Sequence, residues 1–384
     1  MKSIVKFLTY FSALFIVSCI EPHDMLTVIN SDGSCYREFT GKTDYSFIVG
    51  DTASKFNPLP VEIDSTWNIS WKFRDSEWFS GYPAKSSTVD SIEKTIKLRD
   101  KINSGVEKSD DFFVLARRNY ATVQEMGDKF RLKRSHDWSN LKVNYSLETK
   151  FRWFYTFYTY KETYLKVKTN FQIPIEKYMS RDEALFWFTG QPDLVQGMNG
   201  VEMREYVGDL EDKYNKWFAN NNWNNEFEIL IENYDQIKDK PVSKERLKLM
   251  SDTIFNRIDK DLPDFSMEEV LNKYFKTTVF SVLWKDKLSP MNKYEDDFDK
   301  QEFVQYFGDA FNYKLIMPGK IIQSNSALIQ GDTLNWKLTA YRMIPSDYII
   351  QAQSRKANTW AFILTGIIVI IAVGSFLWKP KERS

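Results

Sequence analysis

The sequence predicts an α+β protein: an antiparallel β-sheet domain formed by N- and C-terminal strands, a helical insertion, and then one transmembrane helix. Three observations predict it. Period-two apolar stretches crowd residues 19–173 and return over 313–355. Between them, over 174–312, apolar residues recur at helical spacing. Residues 358–378 are almost uniformly apolar and long enough to span a bilayer core.

The N-terminus predicts export. Lys2 and Lys6 precede an apolar run from Phe7 to Val17 that is too short to span a membrane, the layout of a signal peptide over 1–18. Ile16-Val17-Ser18-Cys19 resembles the lipobox of bacterial lipoproteins. That resemblance implies cleavage before Cys19 and acylation of its thiol, which anchors the chain in membrane lipid. The competing reading is an ordinary signal peptide that contains a cysteine. With Cys19 acylated, the second cysteine, Cys35, has no disulfide partner within the chain and reads as a small buried thiol.

The C-terminus predicts a second anchor. Trp360 to Trp378 carries no charge and places a tryptophan at each membrane interface. Residues 379–384 form a short basic tail, which the positive-inside rule makes cytoplasmic. The bulk of the chain is then extracytoplasmic, and in a Gram-negative cell the membrane is the inner one, because outer-membrane spans are barrels.

Within the first segment, Leu26–Ile29 and Tyr36–Phe39 flank Asn30-Ser-Asp-Gly33, a hairpin signal. Trp67, Ile69, Trp71 and Phe73 alternate as a strand. Val89–Ile102 and Phe113–Met126 read as helices. Asn144–Val167 reads as one central strand with both faces turning aromatic.

In the insertion, Ser180-x-x-Glu183 and Ser266-x-x-Glu269 read as capping boxes. Helical faces run through Val207, Leu210, Tyr214, Trp217 and Phe218, through Leu247, Met250, Ile254 and Ile258, and through Met267, Val270, Leu271, Tyr274 and Phe275. The loop Gly190–Gly200, with Gly190, Gly197 and Gly200, is the candidate binding segment, against the plainer reading of a long connection.

Strands return at Lys314–Met317, Ile321–Ser324, Ala327–Gln330 and Leu334–Arg342, and are expected to pair with strands before residue 170. The stretch 317–338 resembles the end of the LppM-like bacterial lipoprotein domain, through the turn residues Pro318 and Gly319, then Asn325, Gly331 and Trp336. The resemblance implies an α+β extracytoplasmic domain with affinity for lipid or envelope glycolipid.

Lysine and arginine balance aspartate and glutamate at 52 each, so no basic footprint points to nucleic acid. The two histidines, His23 and His136, read as isolated, one in a tether and one in an exposed stretch. No zinc, nucleophile-elbow or phosphate-loop motif occurs, and Glu295–Asp299 reads as a solvated loop. The sequence therefore implies no metal, cofactor or catalytic residue. It predicts a non-enzymatic, doubly anchored lipoprotein that binds an envelope protein or lipid. The alternatives are an envelope glycan-active hydrolase using paired carboxylates, and a secretory type I membrane protein.

Overall fold

A computed structural model describes residues 23–48, 58–74, 77–80, 111–134, 136–169, 171–257, 266–298, 310–326 and 328–378. The segment 1–18 expected to be a signal peptide, Cys19, the helix expected over Val89–Ile102 and the basic tail lie outside the described residues. The protein is α+β. Its chain forms two compact units, one drawing on 22–164, 311–338 and 349–384, the other on 165–310 and 339–348.

The first unit is built on two sheets. Its strands are β1 (His23–Ile29), β2 (Cys35–Thr43), β3 (Asn68–Phe73), β4 (Phe79–Ser80), β5 (Phe112–Tyr120), β6 (Val143–Phe151), β7 (Tyr155–Tyr164), β8 (Ala310–Ile316), β9 (Lys320–Ser324), β10 (Leu328–Gln330), β11 (Thr333–Thr339) and β12 (Tyr348–Ala357). One sheet runs β10-β11-β8-β1-β2-β5-β3-β4 and the other β6-β7-β12-β9. N- and C-terminal strands do pair: β8 lies beside β1 and β12 beside β7. The expectation of a single, purely antiparallel sheet needs correcting, since there are two sheets and β1 pairs with β8 in parallel. A parallel pair needs a long connection, and the helical residues supply it.

Local chemistry explains the strands. In β1, Met25, Thr27 and Ile29 turn inward at every second position. The β1–β2 turn closes through Asn30 and Ser34, with Gly33 at φ 87°. Two expectations fail here. Phe113–Met126 is not one helix. Phe112, Val114 and Ala116 are buried in a strand laid between β2 and β3, and only Val123–Lys129 is helical, starting where the Thr122 side chain accepts from Glu125 N. A ladder to two partner strands outweighs local helix propensity. Asn144–Val167 is likewise not one central strand but the hairpin β6–β7, reversed at Trp153-Phe154, with β6 at the sheet edge.

The second unit is helical. Ser180 and Glu183 close the expected capping box on the helix Arg181–Thr189. Asn199 and Glu202 form another on the 34-residue helix Gly200–Asn233. Ser266 precedes the helix Met267–Phe275 but makes no side-chain cap, which corrects that expectation. The long helix buries Leu210, Tyr214, Trp217 and Phe218 as its face predicts. One core gathers Phe188, Tyr214 and Trp217; a second gathers Trp223, Leu230, Leu247, Ile254, Leu271 and Phe280. Between them, buried Asn221 accepts from Ile173 N and donates to Ile173 O, holding an extended segment as a neighbouring strand would. Glu295–Phe298 falls in the helix Pro290–Phe298 rather than in a loop.

Thr359–Leu377 is a helix long and apolar enough to cross a membrane, with mean hydropathy 2.2 over Thr359–Phe376. It belongs to the sheet-containing unit.

Candidate functional site

The most distinctive chemistry lies inside the sheet-containing unit. Arg37 points inward from β2, between inward Cys35 and Phe39. Glu162 points inward from β7, on the stripe of Tyr158, Tyr160 and Tyr164. Both side chains are fully buried, and Arg37 Nη2 donates to the two Glu162 oxygens at 3.2 and 3.1 Å. The pair bridges the two sheets.

Its hydrogen bonds are extensive. Arg37 Nε donates to Thr27 Oγ1 at 3.1 Å, and Nη1 donates to the Tyr145 hydroxyl at 3.2 Å. Tyr160 and Tyr164 donate to Glu162 at 2.9 and 2.6 Å. The guanidinium also lies against the rings of Phe130 and Tyr145, 4.7 and 5.3 Å from their centroids. Burial is the largest influence and opposes the Arg37 charge, but the Glu162 carboxylate together with Tyr145, Tyr313 and Tyr160 outweighs it and holds the pKa well above its ordinary value. Burial, then the same carboxylate, pushes the Tyr160, Tyr164 and Tyr313 phenols up. The site therefore keeps the Arg37 cation among neutral phenols.

Above this network opens a cavity of about 490 Å³. Met25, Phe130, Trp138, Leu141, Val143 and Phe311 supply apolar wall, and Tyr145 and Tyr164 bring the phenols to it. Arg37, Arg131 and Lys142 supply positive charge, and among the described residues no aspartate or glutamate lines the cavity. Arg37 is neutralised by Glu162, so the surplus charge belongs to the exposed pair Arg131 and Lys142. A hollow whose wall is about as polar as it is apolar, with Ser139, Asn140 and Asn144 beside the aromatic residues and cations at its mouth, fits an anion that carries an apolar body.

The histidines require a correction. His23 opens β1 and His136 is buried; their ring centroids are 5.7 Å apart and both pack on Phe311. They are not isolated, because the fold closes the long loop between them. Among the described residues no group of three His, Cys, Asp or Glu is placed to hold a metal ion. Cys35 is a buried thiol, raised to about 11 chiefly by burial.

The residues singled out by sequence reading fall elsewhere. Gly190 ends the Arg181–Thr189 helix at φ 75°, Gly197 has φ 86°, and Gly200 is already inside the next helix. All three are exposed, on the helical unit. Pro318-Gly319 turns β8 into β9, and a Cβ at Gly319 would collide with the Arg355 carbonyl. Asn325 extends β9: its amide N donates to Gln351 O, its Oδ1 accepts from Gln351 N, and its Nδ2 donates to Ile349 O. Gly331, at φ 60°, turns β10 into β11, and Trp336 packs edge-on against Tyr313. Trp360 and Trp378 are exposed at the two ends of the apolar helix. None of these lines the 490 Å³ cavity. Sequence reading missed Arg37 and Glu162, although each is a charged residue on an otherwise apolar inward stripe, and that was the available signal.

The chain matches no protein-family model, no curated protein and no solved structure.

Proposed function

We propose that this is a non-enzymatic, membrane-anchored lipoprotein of the bacterial envelope whose sheet-containing unit binds an acidic amphiphile, such as the headgroup and first carbons of an anionic lipid. The cavity lining carries this reading: aromatic and apolar residues share the wall with Ser139, Asn140 and Asn144, two exposed cations stand at the edge, and no carboxylate lines it among the described residues. Anchoring comes from acylated Cys19 and from the helix Thr359–Leu377 spanning the inner membrane, with the tail in the cytoplasm and the rest of the chain outside it. The LppM-like resemblance of 317–338 points to the same ligand class.

The test is a titration of the purified full chain with a fatty acid and with the fatty alcohol of equal length. The acid is expected to bind more tightly. Lys142→Glu with Arg131→Glu should weaken the acid by about tenfold, which is ~1.4 kcal/mol, and leave the alcohol unchanged. Equal affinity for acid and alcohol, or no binding of either, overturns the proposal. The anchor has its own readout: the intact mass should carry acyl chains that Cys19→Ala removes.

A further inference from the structure

The β6–β7 turn is an unusual place for large apolar residues. Phe151, Trp153 and Phe154 are 59, 44 and 37 % exposed around a two-residue reversal. Arg152 and Tyr155 exchange backbone hydrogen bonds at 2.8 and 3.2 Å, which leaves Trp153-Phe154 as the turn itself. Such turns favour Asn-Gly or Asp-Gly, because those residues tolerate positive φ and like water. Neither Trp153 nor Phe154 has positive φ. Local turn preference does not explain two aromatic rings here.

The turn docks on the start of the apolar helix. Phe151 stacks on Trp360, Trp153 meets Trp360 edge-on, and Phe154 packs on Phe362 at 4.7 Å. Trp153 Nε1 donates to Thr365 Oγ1 at 2.8 Å. Thr365 lies six residues past Thr359, about 9 Å further along the helix axis. The turn therefore reaches level with the second turn of the helix. Its backbone is also prepared for an environment without water. Asn358 Nδ2 donates to the Arg152 and Trp153 carbonyls, and Asn358 N donates to the Phe154 carbonyl. Three carbonyls that would be costly to bury in lipid already have partners.

We infer that the Phe151–Phe154 turn is a second membrane-contact element, dipping into the leaflet that the helix Thr359–Leu377 enters. This rests on the reading that the helix spans the membrane. Given that reading, the docking distance sets the depth of the turn: Trp153 and Phe154 lie in the interfacial and outer acyl region, where aromatic side chains are favoured. Arg152 on the turn, and Arg355 and Lys356 just before the helix, then sit at headgroup level. Two fixed contact points, rather than a helix on a swivel, orient the β6-β7-β12-β9 sheet on the bilayer. Because β6 runs from the cavity residue Val143 to Phe151, that end of the cavity lies about 25 Å along the strand from the turn, at ~3.3 Å per residue.

The test uses the full chain with Cys35→Ala, reconstituted in phospholipid nanodiscs and spin-labelled at Phe154→Cys or, separately, at Ile370→Cys in the helix centre. Collision with oxygen, which concentrates in lipid, is compared with collision with a water-soluble nickel chelate. Both labels are expected to favour oxygen several-fold. An oxygen-exposed label at 370 with a chelate-exposed label at 154 overturns the inference and keeps the spanning helix. Chelate exposure at both sites overturns the spanning reading and the inference together. Protection at 154 from both reagents, with cross-linked dimers, means that a second copy covers the turn and also overturns it. Because labelling could disturb the turn, a second measurement compares unlabelled wild type with Trp153→Phe in bilayers of brominated lipid. Trp153→Phe should lose a quenchable share of the tryptophan emission; an unchanged quenched share counts against insertion.

Discussion

The two units solve the problem of a buried interior in different ways. The helical unit fills its two cores with Trp, Phe, Tyr, Leu, Ile and Met, and its buried polar residues among those described are Asn221 and Asn222. The sheet-containing unit buries Arg37, Glu162, Glu38, His136, Thr27, Thr43 and Ser354. Helices satisfy their own backbone, so a helical core can be oil throughout. Two facing sheets can also be closed by oil, so the ion pair is not needed for closure. An ion pair in that position costs desolvation and returns specificity of register, because only one alignment of β2 on β7 puts Arg37 against Glu162. The difference locates chemistry in the sheet-containing unit.

The sharpest way to break the comparison is Glu162→Gln. It leaves the Arg37 charge buried without its partner, and unfolding by denaturant should show a loss of about 3–5 kcal/mol. The double change Arg37→Met with Glu162→Leu should cost far less, because it removes both charges. If the single and double variants cost the same, the pair is packing and nothing more.

The next effect lies on the pH axis. The Cys35 thiol is raised to about 11 and the Tyr120 phenol to about 12, both chiefly by burial, and the phenols around Glu162 are raised as well. A folded state that holds its protons longer than the unfolded chain loses stability as pH rises. The contribution is therefore complete below about pH 9 and decays through about pH 9–12, where thermal melts should fall steadily. A melting temperature flat across that window would contradict the buried placement of these groups.

In the helical unit the largest single effect should come from plain volume. Leu247→Ala empties a fully buried position and should cost ~2–5 kcal/mol by denaturant unfolding. A cost below ~1 kcal/mol would contradict the tight packing of that core. The smallest effect is Ser180→Ala, which removes one side of a capping box and should cost ~1 kcal/mol by the same melts. A cost near 3 kcal/mol would mean that Ser180 does more than cap.

Legibility in the sequence followed the range of the interaction. The hairpin at Asn30–Gly33, the strand around Trp71, the Ser180 box and the face through Tyr214 and Trp217 depend on neighbours within about one or two turns of chain, and all four are in the structure. The stretch Phe113–Met126, expected as a helix, is largely the strand Phe112–Tyr120, because its apolar residues fit either period and only the flanking strands β2 and β3 settle it. Tyr348–Ala357 was passed over, although Tyr348, Ile350, Ala352 and Ser354 alternate inward, because its second half is polar. The candidate site was legible only as one charged residue on an otherwise apolar stripe in each of β2 and β7, and its assembly was not legible. Arg37, Tyr145, Glu162 and Tyr313 come from four strands spread over most of the chain.

By itself the sequence determined the α+β class, the apolar C-terminal helix and the local punctuation of turns and caps, since these follow from periodicity and from side chains acting on their own backbone. Tertiary structure alone decided that there are two sheets, that β1 and β8 run parallel, that His23 meets His136, and that a cavity opens over a buried ion pair. The physical reason is the same each time. A buried charge or a strand partner is selected by what lies across the core, and residues brought together by closing long loops leave no fixed spacing in the chain.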